Sequence, residues 1–354
     1  MRRSFFLSII CCLLSLSLPA QAARNGSADP LDVPALPTRL TTTTQLSAIA
    51  HAGKRLVAVG IRGLIITSDD EGTHWTQRLA PVSSDLLAVH FPTPQRGWAV
   101  GHDGVVLHSK DGGLTWVKQL DGRQAAVQLI AHFQKMADAG DETGKRLLAE
   151  MKLNYESGPE QALLDVWFED EQHGFVCGSF GTLLFTADGG KSWQSWIEKI
   201  DYETLLHLNA IRGIGNEIFM ASEKGIVFRL DRSKQRFAAV ETGYTGSFFS
   251  LAGRGDTIVA AGLRGSAYRS TDAGKNWSRI DTGLAASVTG AATGSDGALM
   301  LVSQNGSLLY GDLATQRFTT IRVPRPTTLS GIVATGAKSA VVVGLNGVQQ
   351  VQLK

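Results

Sequence analysis

Seven times along this chain a short apolar run meets a residue–glycine pair and turns into a second short apolar run. The pieces are VAVGIRGLIIT, WAVGHDGVVLH, FVCGSFGTLLF, IFMASEKGIVF, IVAAGLRGSAY, LMLVSQNGSLL and VVVGLNGVQQV. Their second glycines, Gly63, Gly104, Gly181, Gly225, Gly265, Gly306 and Gly347, recur every 40 to 44 residues, with a single gap of 77. Apolar and polar positions alternate imperfectly, as expected of strands buried between stacked sheets. The first repeat reads LSAIAHA, RLVAVGI, GLIITS and WTQRL, four strands parted by turn residues. The residue–glycine pair suits a tight hairpin between the second and third strands, because glycine tolerates positive φ. Four strands in roughly 40–45 residues is the period of a propeller blade. The pattern therefore predicts an all-β fold, a seven-bladed β-propeller of four-stranded blades spanning residues 36–354.

Two segments depart from the period. Residues 122–161 have helical spacing, with Val127, Ile130, Phe133 and Ala137 on one predicted face and Leu147, Leu148 and Met151 marking a second helix. They predict a helical hairpin inserted between blades two and three, on the same face as the residue–glycine hairpins. It is either a packed decoration or an arm that docks a partner. The seventh blade shows three strands before Lys354, and the threonine-rich stretch LPTRLTTTTQL, residues 36–46, is the expected outer strand that closes it. Residues 23–35, with Pro30 and Pro34, are expected to be a mobile leader.

Between the third and fourth strands of four blades lies a box, [S/T]-x-D-x-G-x-x-W. Its copies are Ser68, Asp70, Gly72, Trp75; Ser109, Asp111, Gly113, Trp116; Thr186, Asp188, Gly190, Trp193; and Ser270, Asp272, Gly274, Trp277. An Asp at that place can accept backbone N–H bonds across a tight turn. The Trp is expected to fold back between neighbouring blades and bury up to about 200 Å². These residues are read as structural staples. Blades four and six lack the box but keep an aromatic residue, Phe237 and Phe318, so the core contact is expected there without the Asp turn.

Composition changes the picture at the ends. Residues 1–22, with Arg2, Arg3, an apolar run and Ala20-Gln21-Ala22, read as a secretory signal peptide. Its removal takes Cys11 and Cys12 and leaves Cys177, read as a small buried side chain rather than a nucleophile. It also leaves 32 basic against 32 acidic side chains, so charge makes no case for nucleic-acid binding. The mature chain is expected to be soluble, monomeric and exported, to a periplasm or an equivalent lumenal compartment.

The box is identified as the Asp-box of the bacterial neuraminidase repeat. Within that group the seven-blade layout and the run VGxxGxIxxSxDGGxTW resemble the photosystem II stability/assembly factor family and its relatives in non-photosynthetic bacteria. The resemblance covers Leu46 to Lys354 apart from the helical insertion. It implies an exported, non-catalytic propeller that holds a membrane-complex subunit during assembly, using a basic patch on one face. Arg62 and Arg264 match the hairpin position where that family often has arginine, and Lys224 keeps the charge. The insertion resembles the bacterial relatives found in company with transporters, which adds a transporter component to the candidate partners. The candidate partner-binding residues are Arg62, His102, Asp103, Lys224 and Arg264.

Hidden chemistry is sparse. A sialidase needs an arginine triad and a Tyr paired with a Glu, and Tyr202-Glu203, adjacent on one strand, point to opposite faces. The box aspartates sit on four blades, too far apart for paired acid/base work. His102 and His108 share a hairpin without a third ligand nearby. No catalytic residue, metal or cofactor is expected. The alternative reading is a carbohydrate-binding or glycosidic propeller, which an acidic cluster with convergent arginines in the central channel would favour.

Overall fold

A computed structural model describes residues 28–294, 296–313 and 317–353. The expected signal peptide lies outside them. Seven antiparallel sheets follow one another in chain order, each a meander whose first strand lines the central axis. The innermost strands are Leu46–Ala52, Leu86–His90, Leu163–Phe168, Leu208–Ile214, Phe248–Arg254, Val288–Thr293 and Leu329–Ala334. The second strand of each blade is nearly all buried, from Arg55–Gly60 to Ser339–Gly344, because each lies between two neighbouring sheets. The molecule is a seven-bladed propeller.

The boxes fold as staples, with one more bond set than the sequence suggested. The Ser or Thr hydroxyl donates to the Asp Oδ1 and accepts the glycine N–H, as at Ser68, where the distances are 2.8 and 2.9 Å. The same Oδ1 accepts a backbone N–H four residues on, from His74, Thr115, Ser192 and Asn276, each at 2.9 Å. Side chains at that fourth position hold Oδ2: His74 Nδ1, Thr115 Oγ1 and Ser192 Oγ at 2.6 Å, and Asn276 Nδ2 at 2.7 Å. Backbone and side-chain donors at His74 hold the Asp70 carboxyl well below the usual carboxylate range, and those at Asn276 do the same for Asp272. The Asp turn is not lost in blade four, as the sequence had suggested. Asp231 Oδ1 accepts from the N–H groups of Ser233 and Lys234 at 3.0 and 3.1 Å, so an ordinary Asx turn replaces the box.

Three segments differ from the sequence reading. The stretch 36–45 is not an outer strand; it forms turns around Leu40, whose carbonyl accepts from Thr43 and Thr44. It touches blade seven through one backbone bond, Val348 N to Thr42 O at 3.1 Å, and that blade keeps three strands. Its threonines bond locally instead of entering a ladder. The ring closes by packing: Leu46, Ile49 and Ile66 meet Val333, Val341 and Val343 in one buried cluster. His51 Nε2 and Ser330 Oγ add bonds across the joint, to Ala334 O at 2.8 Å and Leu46 O at 2.7 Å.

Residues 29–35, expected as part of a mobile leader, lie against blades one and two. Leu31 and Ala35 are buried, Ser83 N bonds Pro30 O at 2.8 Å, and Asp32 pairs with Arg123 at 2.7 Å. Blade four gains a fifth strand, Ile200–Asp201, parallel to its outer edge at Phe237 and Ala238. Arg236 Nε pins it to Asp201 Oδ1 at 2.6 Å.

The insertion forms helix α1, Gly122–Asp138, and helix α2, Glu142–Asn154. Asp121 caps α1 in a reciprocal capping box with Gln124. The face turned inward is Ala125, Leu129 and Phe133, joined by Leu147, Leu148 and Met151. Val127, placed on the inner face by the sequence, is exposed, because the true stripe runs i, i+4, i+8 from Ala125. This face joins Trp193, Trp196 and Ile197 of blade three in one apolar cluster, so the hairpin is packed onto the ring.

Candidate functional site

The residue–glycine hairpins form one rim of the ring. In blade one Leu64 N bonds Ile61 O at 3.1 Å, and the two residues between them, Arg62 and Gly63, have φ of 55° and 69°. Two successive left-handed residues make a type I′ turn, which matches the twist of the strands it joins. Blades two to five repeat this with Asp103, Phe180, Lys224 and Arg264 at φ of 59°, 51°, 54° and 55°. A non-glycine residue in that region costs about 1–2 kcal/mol. Gly or Asn would cost less there. In blades six and seven the left-handed residue is the glycine, Gly306 or Gly347, and Asn305 and Asn346 precede it without positive φ.

Three tips are braced by side chains at the start of the next blade. Arg62 N donates to Asp85 Oδ1 at 2.7 Å, Phe180 N to His207 Nδ1 at 3.3 Å, and Arg264 N to Ser287 Oγ at 3.4 Å. The backbone of these three hairpins is thereby fixed while the side chain stays outside. Arg62, His102, Lys224 and Arg264 are exposed. Asp103 is half-buried and accepts from Ser84 Oγ at 2.7 Å, so it serves the turn more than the surface. Among the described residues no ion pair engages Arg62, Lys224 or Arg264.

The five candidates therefore share one rim, one or two per blade. They fall into two arcs, blades one and two and blades four and five, with Phe180 of blade three between them. Three apolar side chains complete the rim: Phe180 at 46% exposure, Leu263 at 37% and Leu345 at 52%. Sequence reasoning passed over the two leucines. Their signal was the apolar residue before the pair in GLRG and GLNG, a place that faces solvent once the hairpin is an I′ or glycine-bulged turn. Helix α1 starts beside the same rim: a Cβ on Gly104 would meet Gly122 Cα at 2.7 Å.

The central channel carries little chemistry. A cavity of ≈ 240 Å³ is lined by all seven inner strands, and its ionisable groups are Asp165 and Arg212. These two form an ion pair, and Asp165 also accepts from Val166 N at 2.9 Å and Ile211 N at 2.8 Å. No second carboxylate stands across the channel lining. His102 and His108 diverge: His102 is on the rim, whereas His108 is buried and stacked on Trp98 at 4.6 Å. Burial holds the His108 imidazole down at about 4, so it is neutral at physiological pH. Among the described residues no group of three acids, histidines or cysteines is placed to hold a metal ion. Cys177 is buried with its thiol pushed up by burial, the state of an unreactive side chain.

The fold has counterparts among known proteins. The photosynthesis system II assembly factor YCF48 family matches residues 37–125 and 146–319, leaving out 126–145, which hold most of helix α1 and the first turn of α2. A photosystem II assembly lipoprotein, Ycf48 of Synechococcus sp. (strain CC9902), is 26% identical over 147 residues, covering 41% of this chain and 44% of that protein. Its counterpart in Nostoc sp. (strain PCC 7120) is 31% identical over 152 residues, 42% of this chain and 44% of that one. The chain thus spans about half the length of the curated relatives it matches. A solved structure of YCF48 bound to D1 peptide has a TM-score of 0.65 at 16% identity, covering 91% of this chain and 99% of the other. YCF48 from Cyanidioschyzon merolae gives 0.62 at 16%, over 89% and 97%. These two likenesses carry the fold. With three quarters of its length matched in blade order, the chain belongs to the photosynthesis system II assembly factor YCF48 family.

Proposed function

We propose that this protein is a non-catalytic exported scaffold whose hairpin rim binds a protein partner and so assists assembly or stability of a membrane or envelope complex. The observation that carries the reading is the rim itself: unpaired cations Arg62, Lys224 and Arg264 beside exposed Phe180, Leu263 and Leu345, with the turns of Arg62, Phe180 and Arg264 braced by the next blade. Apolar anchors ringed by charge on a rigid backbone bind with little ordering cost. Two relatives are named as assembly lipoproteins, and one related structure holds a peptide, which supports a polypeptide ligand here. The channel's lone carboxylate supports the absence of glycosidic chemistry, which requires two. The insertion, of which the family match leaves out residues 126–145, favours a client other than a photosystem, such as another membrane-complex subunit or a transporter component.

The test is affinity capture of the tagged mature protein from its native envelope, beside the Arg62→Glu, Arg264→Glu double variant. The expected result is one dominant membrane partner, lost in the variant while its melting temperature stays within about 2 °C, since exposed substitutions rarely shift stability much. Equal capture by the variant would remove the rim from the account. Glycan fragments in place of a protein would favour the carbohydrate-binding alternative.

A further inference from the structure

A second kind of surface lies where blade seven meets blade one, and it goes beyond the partner reading because its residues stand on connections between blades. The turn segment 36–45 is its centre. The start of that segment runs beside the last strand of blade one: Ala35 N bonds Ala80 O at 3.0 Å, Gln77 Nε2 bonds Leu36 O at 2.9 Å and Thr38 N bonds Gln77 Oε1 at 2.8 Å. Its end lies between two hairpins, with Val348 N on Thr42 O at 3.1 Å and Ile61 N on Gln45 O at 3.4 Å. The connection from blade six reaches the same place: Arg325 N meets Gln349 Oε1 at 2.8 Å, and Arg325 Nη2 meets Val348 O at 3.1 Å.

Three leucines stand out from this joint, Leu36 at 77% exposure, Leu40 at 64% and Leu79 at 56%. Arg39, Arg322 and Arg325 are exposed beside them, and among the described residues no ion pair engages any of the three. Segments 36–45, 322–328 and 345–349 contain no Asp, no Glu and no aromatic residue. Across the ring the sign reverses, where Asp201, Glu203, Glu223 and Glu241 flank the tip of blade four. Charge of one sign around aliphatic tips fits a planar anionic surface. The apolar side chains enter the boundary between headgroups and acyl chains, and the arginines stay among the headgroups. Hot spots for protein partners favour aromatic anchors seated in pockets, and this joint has no aromatic side chain on its three segments.

We infer that the joint of blades seven and one docks on the surface of a membrane that contains anionic phospholipid. Leu36, Leu40 and Leu79 enter the headgroup boundary, and Arg39, Arg322 and Arg325 meet the phosphates. The ring then rests on the bilayer by one edge of its rim, with the acidic side around blade four turned away from the lipid. The hairpin tips on the far blades stay open to a membrane-complex subunit.

The experiment is vesicle flotation of the mature full-length chain, with bilayers of equal parts phosphatidylcholine and phosphatidylglycerol beside phosphatidylcholine alone. Three double variants accompany it, each checked by thermal melting. They are Leu36→Ser with Leu40→Ser, Arg39→Glu with Arg322→Glu, and Lys191→Glu with Lys275→Glu. The last pair makes the same charge change at exposed positions in the box loops of the opposite face. Binding to the anionic vesicles is expected, weaker as salt is raised. The lipid concentration for half binding should rise at least tenfold in the leucine and arginine variants and stay within twofold of the parent in the lysine variant. Absence of binding to anionic vesicles, equal binding to phosphatidylcholine alone, or an equal loss in the lysine variant would overturn the site. So would binding that neither the leucine nor the arginine pair disturbs. Loss of a captured envelope protein in the Arg39→Glu, Arg322→Glu variant, with no vesicle binding by the parent, would give the joint to a protein instead. The vesicles hold no protein, so this result stands or falls apart from capture of a partner by the rim.

Discussion

Ala273 sits between Asp272 and Gly274 with φ of 57°, and Glu71 occupies the same place in blade one at the same φ. Blades two and three put glycines there, Gly112 and Gly189, at φ of 69° and 71°. Relieving a left-handed alanine gains more than the added freedom of the unfolded chain costs. Ala273→Gly should therefore stabilise by about 1 kcal/mol, read from the denaturant midpoint. The box tryptophans differ in a way the sequence could not display. Trp75, Trp116 and Trp277 donate Nε1–H to the box glycine carbonyl at 2.9 to 3.1 Å, while Trp193 Nε1 is buried without a partner. Trp116→Phe should cost about 1 kcal/mol more than Trp193→Phe, because only the first gives up a satisfied hydrogen bond. Equal losses would remove that bond from the staple. The spacing S/T-x-D-x-G-x-x-W made the staple legible. The fourth-position side chains were not, since His74, Thr115, Ser192 and Asn276 share a geometry and no residue type.

Elements were legible where one period governed many residues. Blade positions followed from seven glycines, because all seven hairpins hold that glycine at positive φ, which few other residues adopt. The outer strand of blade seven failed on a local competition: β-prone threonines at 41–44 can bond the Leu40 carbonyl, and a four-residue turn forms before any ladder does. The helical hairpin was legible as helix, and Ile130, Phe133 and Ala137 do pack against the core; only Val127 fell on the wrong side, because Ala125, a small side chain, begins the stripe. Phe133 is fully buried between α1, α2 and blade three. Phe133→Ala should cost about 3–5 kcal/mol as a cavity in that packing. A loss below about 1 kcal/mol in equilibrium unfolding would mean that the hairpin is detachable from the ring.

At the scale of the whole molecule, seven sheets hold a rim of side chains on turns, three of them braced by the neighbouring blade. The sequence placed Arg62, His102, Lys224 and Arg264 on it, since the first, third and fourth lie one residue before a repeat glycine and His102 lies two before. It missed the exposed leucines and overstated Asp103, whose carboxylate turns inward to Ser84. Burial decides such matters, and burial depends on the next blade, 40 residues away. The most direct measurement is photo-crosslinking in the native envelope from single reporter residues at Phe180, Leu263 and Leu345 on the rim and at exposed Ser278 and Thr319 on outer strands. A scaffold that works through its rim should yield one shared protein adduct from the three rim positions and none from the outer strands. Adducts from the outer strands with none from the rim would contradict it.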